Sequence, residues 1–543
     1  MVEQALPVAD ADFSIKRPPS GPSRGHYVCL AATLLIAFAL RAAAIIWGQS
    51  YAYNSQADCL EAYAVAVDFE LGDSRARYLG QPNITTGSKL AGPAWTLFCV
   101  LGLKLGGSIE GVSWLLATTN VVAILLIYLL ARQTIGPNAG LFAALLLATS
   151  LQGIRFSIGP YNPGMMPFLS TLLFLALWRV VSRDASRAIF WVPFLLLLTL
   201  QFHLSVLVLI PTAALAIAVS GRRVTWSWLL LGVVAGLALY LPYIAGELNH
   251  DWENTRAIFS PRKTELPSDP LRGFTAPISF LAYYWWPRWI YTDSEFQSLF
   301  DQVMGGTQWA KAAYVLSLLF ALMLIGQVFH LGWKAGRGIW KSPRTVFARN
   351  PGLVFLIVLF LAPLAVGLVF QESFRPRYSL IQIPPLFTLA GAASAALLAN
   401  SRLRAATALL GAAVVAINIY FVVSMYRFQG QHIESAPRFV ASFPHLERVY
   451  QELRIHAGDG RPIAVDDRHF FIPSQSDENI WFIDAMLIRP YVELRERERT
   501  RGVASSRSRA QVYELYQSWQ SESDGREAAY AGNGIVLTPT DSD

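Results

Sequence analysis

Asp58 and Glu61 stand three residues apart, and if the stretch from Asp58 to Leu71 is helical they share one face. A carboxylate placed there can take the proton of an attacking hydroxyl, which is general-base chemistry. The pair could also offer oxygen ligands to a divalent cation, so Asp58 and Glu61 are the candidate metal ligands. The same spacing suits an exposed loop helix with no chemistry at all. Lys89, Arg375 and Arg377 are candidate anion holders. Lysine supplies a point charge, and arginine a planar fork that matches phosphate oxygens. Asn162, just before Pro163, can hydrogen-bond a ligand hydroxyl or cap a helix. His203 follows Gln201 at a tight turn, where a histidine either contacts a ligand or ties down structure. The run from Tyr283 to Trp289 is dense in aromatics, which form membrane-interface belts and also stack on sugar rings.

These residues lie between long apolar segments. Of 543 residues, 54 % are hydrophobic and 15 % charged, against about a quarter charged in an ordinary soluble domain. The apolar residues fall in blocks long enough to cross a hydrocarbon core of ~30 Å. Eleven spans are predicted, at about 27–48, 112–131, 137–154, 163–181, 188–201, 203–220, 225–246, 309–331, 352–370, 378–399 and 403–425. The segment from Leu90 to Gly107 is short, interrupted by Gly92 and Pro93, and carries Lys104, so it reads as a juxtamembrane helix. The first span follows a polar tail, 1–26, and is too long for a cleavable signal. Arg41 lies near its outer end, and an ionisable group at that depth is a functional suspect or one that snorkels to the interface.

Charge orients this arrangement. The loops placed inside hold Arg132; Arg179, Arg183 and Arg187; Arg222 and Arg223; Lys334, Arg337, Lys341, Arg344 and Arg349; and Arg402 and Arg404. Every inner loop is therefore basic, as positive-inside topology requires. That accounts for most of the formal charge of +7 and argues against nucleic acid as a partner. Arg375 and Arg377 sit in a short outer loop, where the same rule does not explain them.

The resulting domains are a cytoplasmic tail, 1–26, a transmembrane domain, 27–426, with outer loops 49–110 and 247–308, and an extracytoplasmic soluble domain, 427–543. Loop 247–308 is expected to be a mobile cover over an acceptor site. The soluble domain reads as small and α/β, with strands near Pro462–Val465 and Gly534–Leu537 and helices near 437–454 and 508–522. The alternating charges from Arg495 to Arg499 suggest a solvated helix face. Cys59 and Cys99 fall in or beside the first outer loop, close enough in sequence for a bridge to be considered.

The first outer loop resembles that of the GT-C membrane glycosyltransferases, in particular the protein O-mannosyltransferase and lipid A aminoarabinose transferase group. The residues that carry it are the stretch Asp58, Cys59, Leu60, Glu61, Ala62, Tyr63, closing with Gly72 and Asp73, then Lys89, Pro93 and Trp95. The runs Leu129 to Gly136 and Ala143 to Thr149 resemble the next two spans, and Arg377–Tyr378 an Arg-Tyr pair opening a late span. The resemblance implies an all-α polytopic GT-C-like fold with about eleven spans. It also implies inverting transfer of a sugar from a polyprenyl phosphate to a lipid, glycan or protein acceptor. Asp58 would act as base, with Glu61 beside it, and Lys89, Arg375, Arg377, Tyr378, Asn162 and His203 would contact substrate. In a bacterium the site would face the periplasm from the inner membrane. Two departures bear on metal use: Cys59 replaces the glutamate of the usual Asp-Glu pair, and Asn162 stands where a second acidic residue is expected.

Two other functions are compatible with the pattern. An oligosaccharide polymerase or ligase using a diphosphate-linked glycan would also suit a pair of outer arginines. A transporter or flippase would place ionisable groups at mid-membrane in paired broken helices, whereas here the spans are almost free of charge.

Overall fold

The computed structural model describes residues 23–47, 80, 82–83, 88–106, 109–182, 186–248, 251–252, 254–256, 307–336, 343–369, 376–431, 443–457, 463–466, 492, 495–496, 511–517, 530–532 and 535–539. Asp58, Glu61, Cys59, Arg375, most of loop 247–308 and the expected 58–71 helix lie outside these residues.

The described chain is mostly helical. In order it forms α1 (Arg24–Ile46), β1 (Pro82–Asn83), β2 (Ser88–Lys89), α2 (Ala94–Gly106), α3 (Ile109–Thr134), α4 (Pro137–Thr149), α5 (Leu151–Ile158), α6 (Met166–Ser182), α7 (Trp191–Leu200), α8 (Leu209–Ser220), α9 (Trp226–Ala238) and α10 (Leu241–Leu248). There follow α11 (Thr307–Gly336), α12 (Pro343–Arg349), α13 (Pro351–Val369), α14 (Ile383–Ala399), α15 (Arg404–Gln431), α16 (Phe443–Ala457) and strands β3 (Ile463–Asp466), β4 (Gln511–Gln517), β5 (Tyr530–Gly532) and β6 (Ile535–Pro539). Six described helices are long and apolar enough to cross a membrane, or eight if each of two bent pairs is one span. The protein is integral to a membrane. Large apolar side chains such as Leu35, Leu230, Val234, Phe329 and Leu409 are exposed on its outside, where lipid is their natural solvent.

Small residues let the helices approach. Gly391 of α14 is buried against α4, where a Cβ would run into the Ala139 carbonyl and the Ala143 side chain. Backbone contact of this kind is how helices associate where lipid removes the hydrophobic drive between them. Helix α2 has 13 residues, about 20 Å of helix, too short to cross alone. It packs against α3 through Gly102, Gly106 and Gly111.

Two apolar blocks expected as continuous spans are broken. Helices α4 and α5 meet at 63°, where Ser150 ends one helix and accepts the Gly153 N–H to start the other. The stretch from residue 155, expected as loop, therefore continues as helix to Ile158, because that cap restarts the helix. Helices α9 and α10 meet at 47° beside Pro242, which cannot donate to Ala238.

One end of the bundle collects basic residues. Arg222 Nε donates to the Val181 carbonyl (3.4 Å), Arg344 lies against Gly221, Arg404 Nε donates to the Leu398 carbonyl (2.9 Å), and Gly352 abuts Thr134 two residues past Arg132.

Beyond α15, strands lie in the order β3-β4-β6-β5, with β3 parallel to β4 and the other pairs antiparallel. Within the 508–522 region, expected to be helical, Gln511–Gln517 is instead a strand. Valine and tyrosine, which fill Val512, Tyr513 and Tyr516, favour strands, and β3 and β6 pair with it on both edges. Within the charge run expected to be solvated, Glu496 is buried. It accepts from Tyr450 Oη (2.8 Å), Arg454 Nη1 (3.3 Å) and the Ile463 N–H (3.3 Å). Pairing across sequence, invisible to a local pattern, overrides the solvated reading. Cys99 is a free, buried thiol.

Candidate functional site

The turn between α7 and the 3-10 segment Leu204–Val208 is the hub of the end opposite the basic residues. Gln201, Phe202 and His203 occupy it, all buried. Each ties a different part of the chain to that end.

Gln201 reaches two distant backbone groups. Its Oε1 accepts the Ala94 N–H (3.2 Å), and its Nε2 donates to the Leu239 carbonyl (3.3 Å). Ala94 is the first residue of α2, and its N–H has no partner within the helix. Leu239 lies at the bend between α9 and α10. Gly92 presses on the Gln201 side chain with φ of +114°, so a Cβ would meet both an unfavourable conformation and the Gln201 Cδ.

Phe202 is held from the other side. Asn162 Nδ2 donates to its carbonyl at 2.6 Å, and Asn162 itself is 6 % exposed. Asn162 opens a 3-10 turn, Asn162–Met165, that leads into α6. The Phe202 ring meets Trp95 edge-on, with ring centroids 6.3 Å apart. Trp95 is fully buried, and its indole N–H has no hydrogen-bond partner among the described residues. His203 Nδ1 accepts the Ser205 N–H (3.1 Å) and lies 2.8 Å from Ser205 Oγ, which places the proton of the neutral ring on Nε2.

The segments carrying the expected anion holders arrive at the same place. Lys89 is in β2, paired antiparallel with Pro82, three residues before Gly92. Arg377 and Tyr378 lie in the 3-10 segment Pro376–Gln382, which packs against both the Asn162 turn and the segment after His203. Thus the backbone brings the segments of Lys89, Asn162, His203, Arg377 and Tyr378 to one end of the bundle. Among the described residues, no group of three His, Cys, Asp or Glu side chains could hold a metal. Asn162 spends its amide on a carbonyl. Burial pushes the Cys99 thiol up, which favours its protonated form.

Two buried charges lie nearby. Arg41 is 1 % exposed and does not snorkel; its Nη1 donates to the carbonyls of Ala37 (3.0 Å) and Ala148 (3.4 Å), the latter in the last turn of α4. A helix C-terminus is a favourable partner for a cation. Glu247, at the end of α10, is fully buried. One oxygen accepts the Thr255 N–H (2.7 Å), and the other has no partner among the described residues. Asn254 Nδ2 donates to Tyr243 Oη (3.0 Å), and Asp251 and Trp252 adopt positive φ of 50° and 58° in the intervening turn. Sequence alone singles out neither Gln201 as a site residue nor Glu247. Gln201 is visible there as a polar residue between apolar runs, but its backbone partners are not. Glu247 looks like an ordinary loop acid at the end of an apolar block.

Comparison with known proteins gives a consistent picture. Residues 91–245 match the sequence profile of the dolichyl-phosphate-mannose-protein mannosyltransferase family. No curated protein matches the chain in sequence. The fold is shared with ArnT from Cupriavidus metallidurans bound to undecaprenyl phosphate, with 13 % identity, TM-score 0.56, and coverage of 95 % of this chain and 98 % of that one. The same protein in its apo state matches with 13 % identity, TM-score 0.57, and coverage of 94 % and 97 %. An oligosaccharyltransferase from Archaeoglobus fulgidus, in complex with Zn and sulfate, aligns with 17 % identity over 74 % of this chain and 53 % of that one; its TM-score of 0.43 is too low to bear on the fold. The matched profile includes α2, the Asn162 turn and the Gln201–His203 turn, the segments that meet at the site.

Proposed function

We propose that this protein is a glycosyltransferase that moves a sugar from a polyprenyl phosphate to a lipid, glycan or protein acceptor. The supporting observation is the convergence, at one end of a bundle with the ArnT fold, of the segments bearing Lys89, Asn162, His203, Arg377 and Tyr378. A lipid-linked donor must present its headgroup at the membrane surface. There, Lys89, Arg375 and Arg377 hold the departing phosphate while Asp58, seconded by Glu61, takes the acceptor proton. A base on one side of the sugar and cations on the other give in-line displacement with inversion.

Topology follows from the same reading. The three shorter apolar helices in Arg187–Leu200, Leu204–Ser220 and Pro351–Ala365 cross as well, and with the eight long or bent spans make eleven. The end rich in arginine is cytoplasmic, and the site faces outward, to the periplasm in a bacterium. Residues 427–543 form a soluble unit on that outer side, built on α16 and the four strands. Loop 247–308 covers the acceptor.

Binding of undecaprenyl phosphate to the purified protein tests the reading. Removing a charge-assisted phosphate contact costs about 1.5–3 kcal/mol, roughly ten- to a hundredfold in affinity. Lys89→Ala and Arg377→Ala should each lose that much, and Arg337→Ala, in an inner loop, almost nothing. Equal effects at all three positions would remove the phosphate site.

A further inference from the structure

Gln201 does more than fill a turn. It is 1 % exposed, and both ends of its amide are used on main chain that is remote in sequence: the start of α2 and the bend between α9 and α10. Its methylene side is held by Gly92, whose positive φ and lack of Cβ bring the backbone against it. The Ala94 N–H and the Leu239 carbonyl are groups that helix geometry leaves open, one at a helix start and one at a bend. A carboxylate could satisfy the first and not the second. A hydroxyl is too short to span both. Only a side chain with an acceptor and a donor on one planar group does both at once.

Lys89 is fixed to this device through a short tether. Gly92 follows it by three positions, and its strand is paired with Pro82. Among the described residues, the Gly92–Ala94 segment joins that strand pair to the bundle core through Gln201. We propose that Gln201 is a positioning residue for the donor phosphate: by clamping Gly92–Ala94 to the Leu239 carbonyl, it sets where Lys89 stands at the membrane surface. The inference rests on the assignment of Lys89 as a phosphate holder, and it adds a residue that does not itself touch the ligand.

The test is a double-mutant cycle in undecaprenyl phosphate binding, using the full-length protein. Gln201→Glu keeps the size and the acceptor but, when ionised, cannot donate to Leu239. Gln201→Met keeps the volume and loses both bonds. In the wild-type background each should weaken binding about tenfold. In the Lys89→Ala background each should have little further effect, because the lysine it positions is gone. Neighbours that act through one another are non-additive in this way. A second readout separates positioning from loss of fold. Once protonated, the carboxyl introduced by Gln201→Glu would carry both donor and acceptor, so the deficit of that variant relative to wild type should shrink as pH falls towards about 5, above the ordinary carboxyl range. The Gln201→Met deficit should not change.

An equal loss in both Lys89 backgrounds would overturn the inference, and so would a loss that merely tracks a fall in thermal stability. Unchanged affinity in both Gln201 variants would also overturn it, while leaving the phosphate site intact. If Lys89→Ala binds the lipid as wild type does, the phosphate-site reading itself fails and takes this inference with it.

Discussion

Replacing Asn162 with aspartate tests the site geometry most informatively, because an acidic residue is the one the family resemblance leads one to expect there. In this structure the amide nitrogen donates at 2.6 Å to the Phe202 carbonyl, and the residue is 6 % exposed. An ionised carboxylate would set an acceptor against an acceptor. Leaving the Phe202 carbonyl unsatisfied costs about 1–3 kcal/mol. Burying the new charge costs several kcal/mol more unless it takes up a proton. Once protonated, the carboxyl can donate to Phe202 and restore the contact. The folded pKa of the new group is therefore raised above its unfolded value of about 3.9. The folded state then binds more protons than the unfolded state. Stability falls as pH rises from about 4 to the raised value, by up to about 1.4 kcal/mol per pH unit, and is level beyond it. Thermal unfolding of the purified protein from about pH 4 to about pH 8 reads this directly. Asn162→Ala should show a constant deficit of about 1–3 kcal/mol relative to wild type. Asn162→Asp should be close to wild type at the acid end and worse than alanine near neutrality. If Asn162→Asp matches wild type near neutral pH, or gains stability with pH, the Phe202 contact is not what holds this turn and a cation must face position 162.

Glu496→Ala should destabilise the C-terminal region by about 3–5 kcal/mol, because it removes the buried acceptor shared by Tyr450, Arg454 and the Ile463 N–H, and Glu496→Gln by clearly less; chemical denaturation of the full chain followed by proteolysis measures both. Gly391→Val should lower the unfolding temperature through overpacking of about 1–3 kcal/mol or more, since its side chain would enter the Ala139 carbonyl on α4. A reporter enzyme fused after Gln431 at the end of α15 should be active only when it works outside the cytoplasm; activity inside would refute the eleven-span topology.

Much of the fold is legible because apolar length is a strong local signal. The spans at 112–131, 163–181, 378–399 and 403–425 all reappear as helices within a few residues. What is not legible depends on contacts between distant segments. The bend at Ser150 is not legible, because the apolar run 137–154 continues across it and only the bond from the Gly153 N–H to Ser150 Oγ marks the break. The strand Gln511–Gln517 carries no decisive periodicity until β3 and β6 flank it. Glu496 sits in a charge run that only a tyrosine and an arginine on α16 turn into a buried network. At the site, sequence points to Asn162 and His203 as ligand contacts. The structure shows what they hold locally, the Phe202 carbonyl and Ser205, and brings their segments beside those of Lys89 and Arg377. Gln201, which joins those segments, can be found only from the backbone groups it binds.

If Asp58 is the base of sugar transfer, as proposed, Asp58→Asn is the decisive variant. The substitution keeps size and most hydrogen bonding but cannot accept the proton. With a polyprenyl-phosphate sugar and a suitable acceptor, turnover should fall by roughly 10²–10⁴, the usual contribution of general-base catalysis. Folding and affinity for undecaprenyl phosphate should stay near those of wild type. Near-normal turnover by Asp58→Asn would contradict the account.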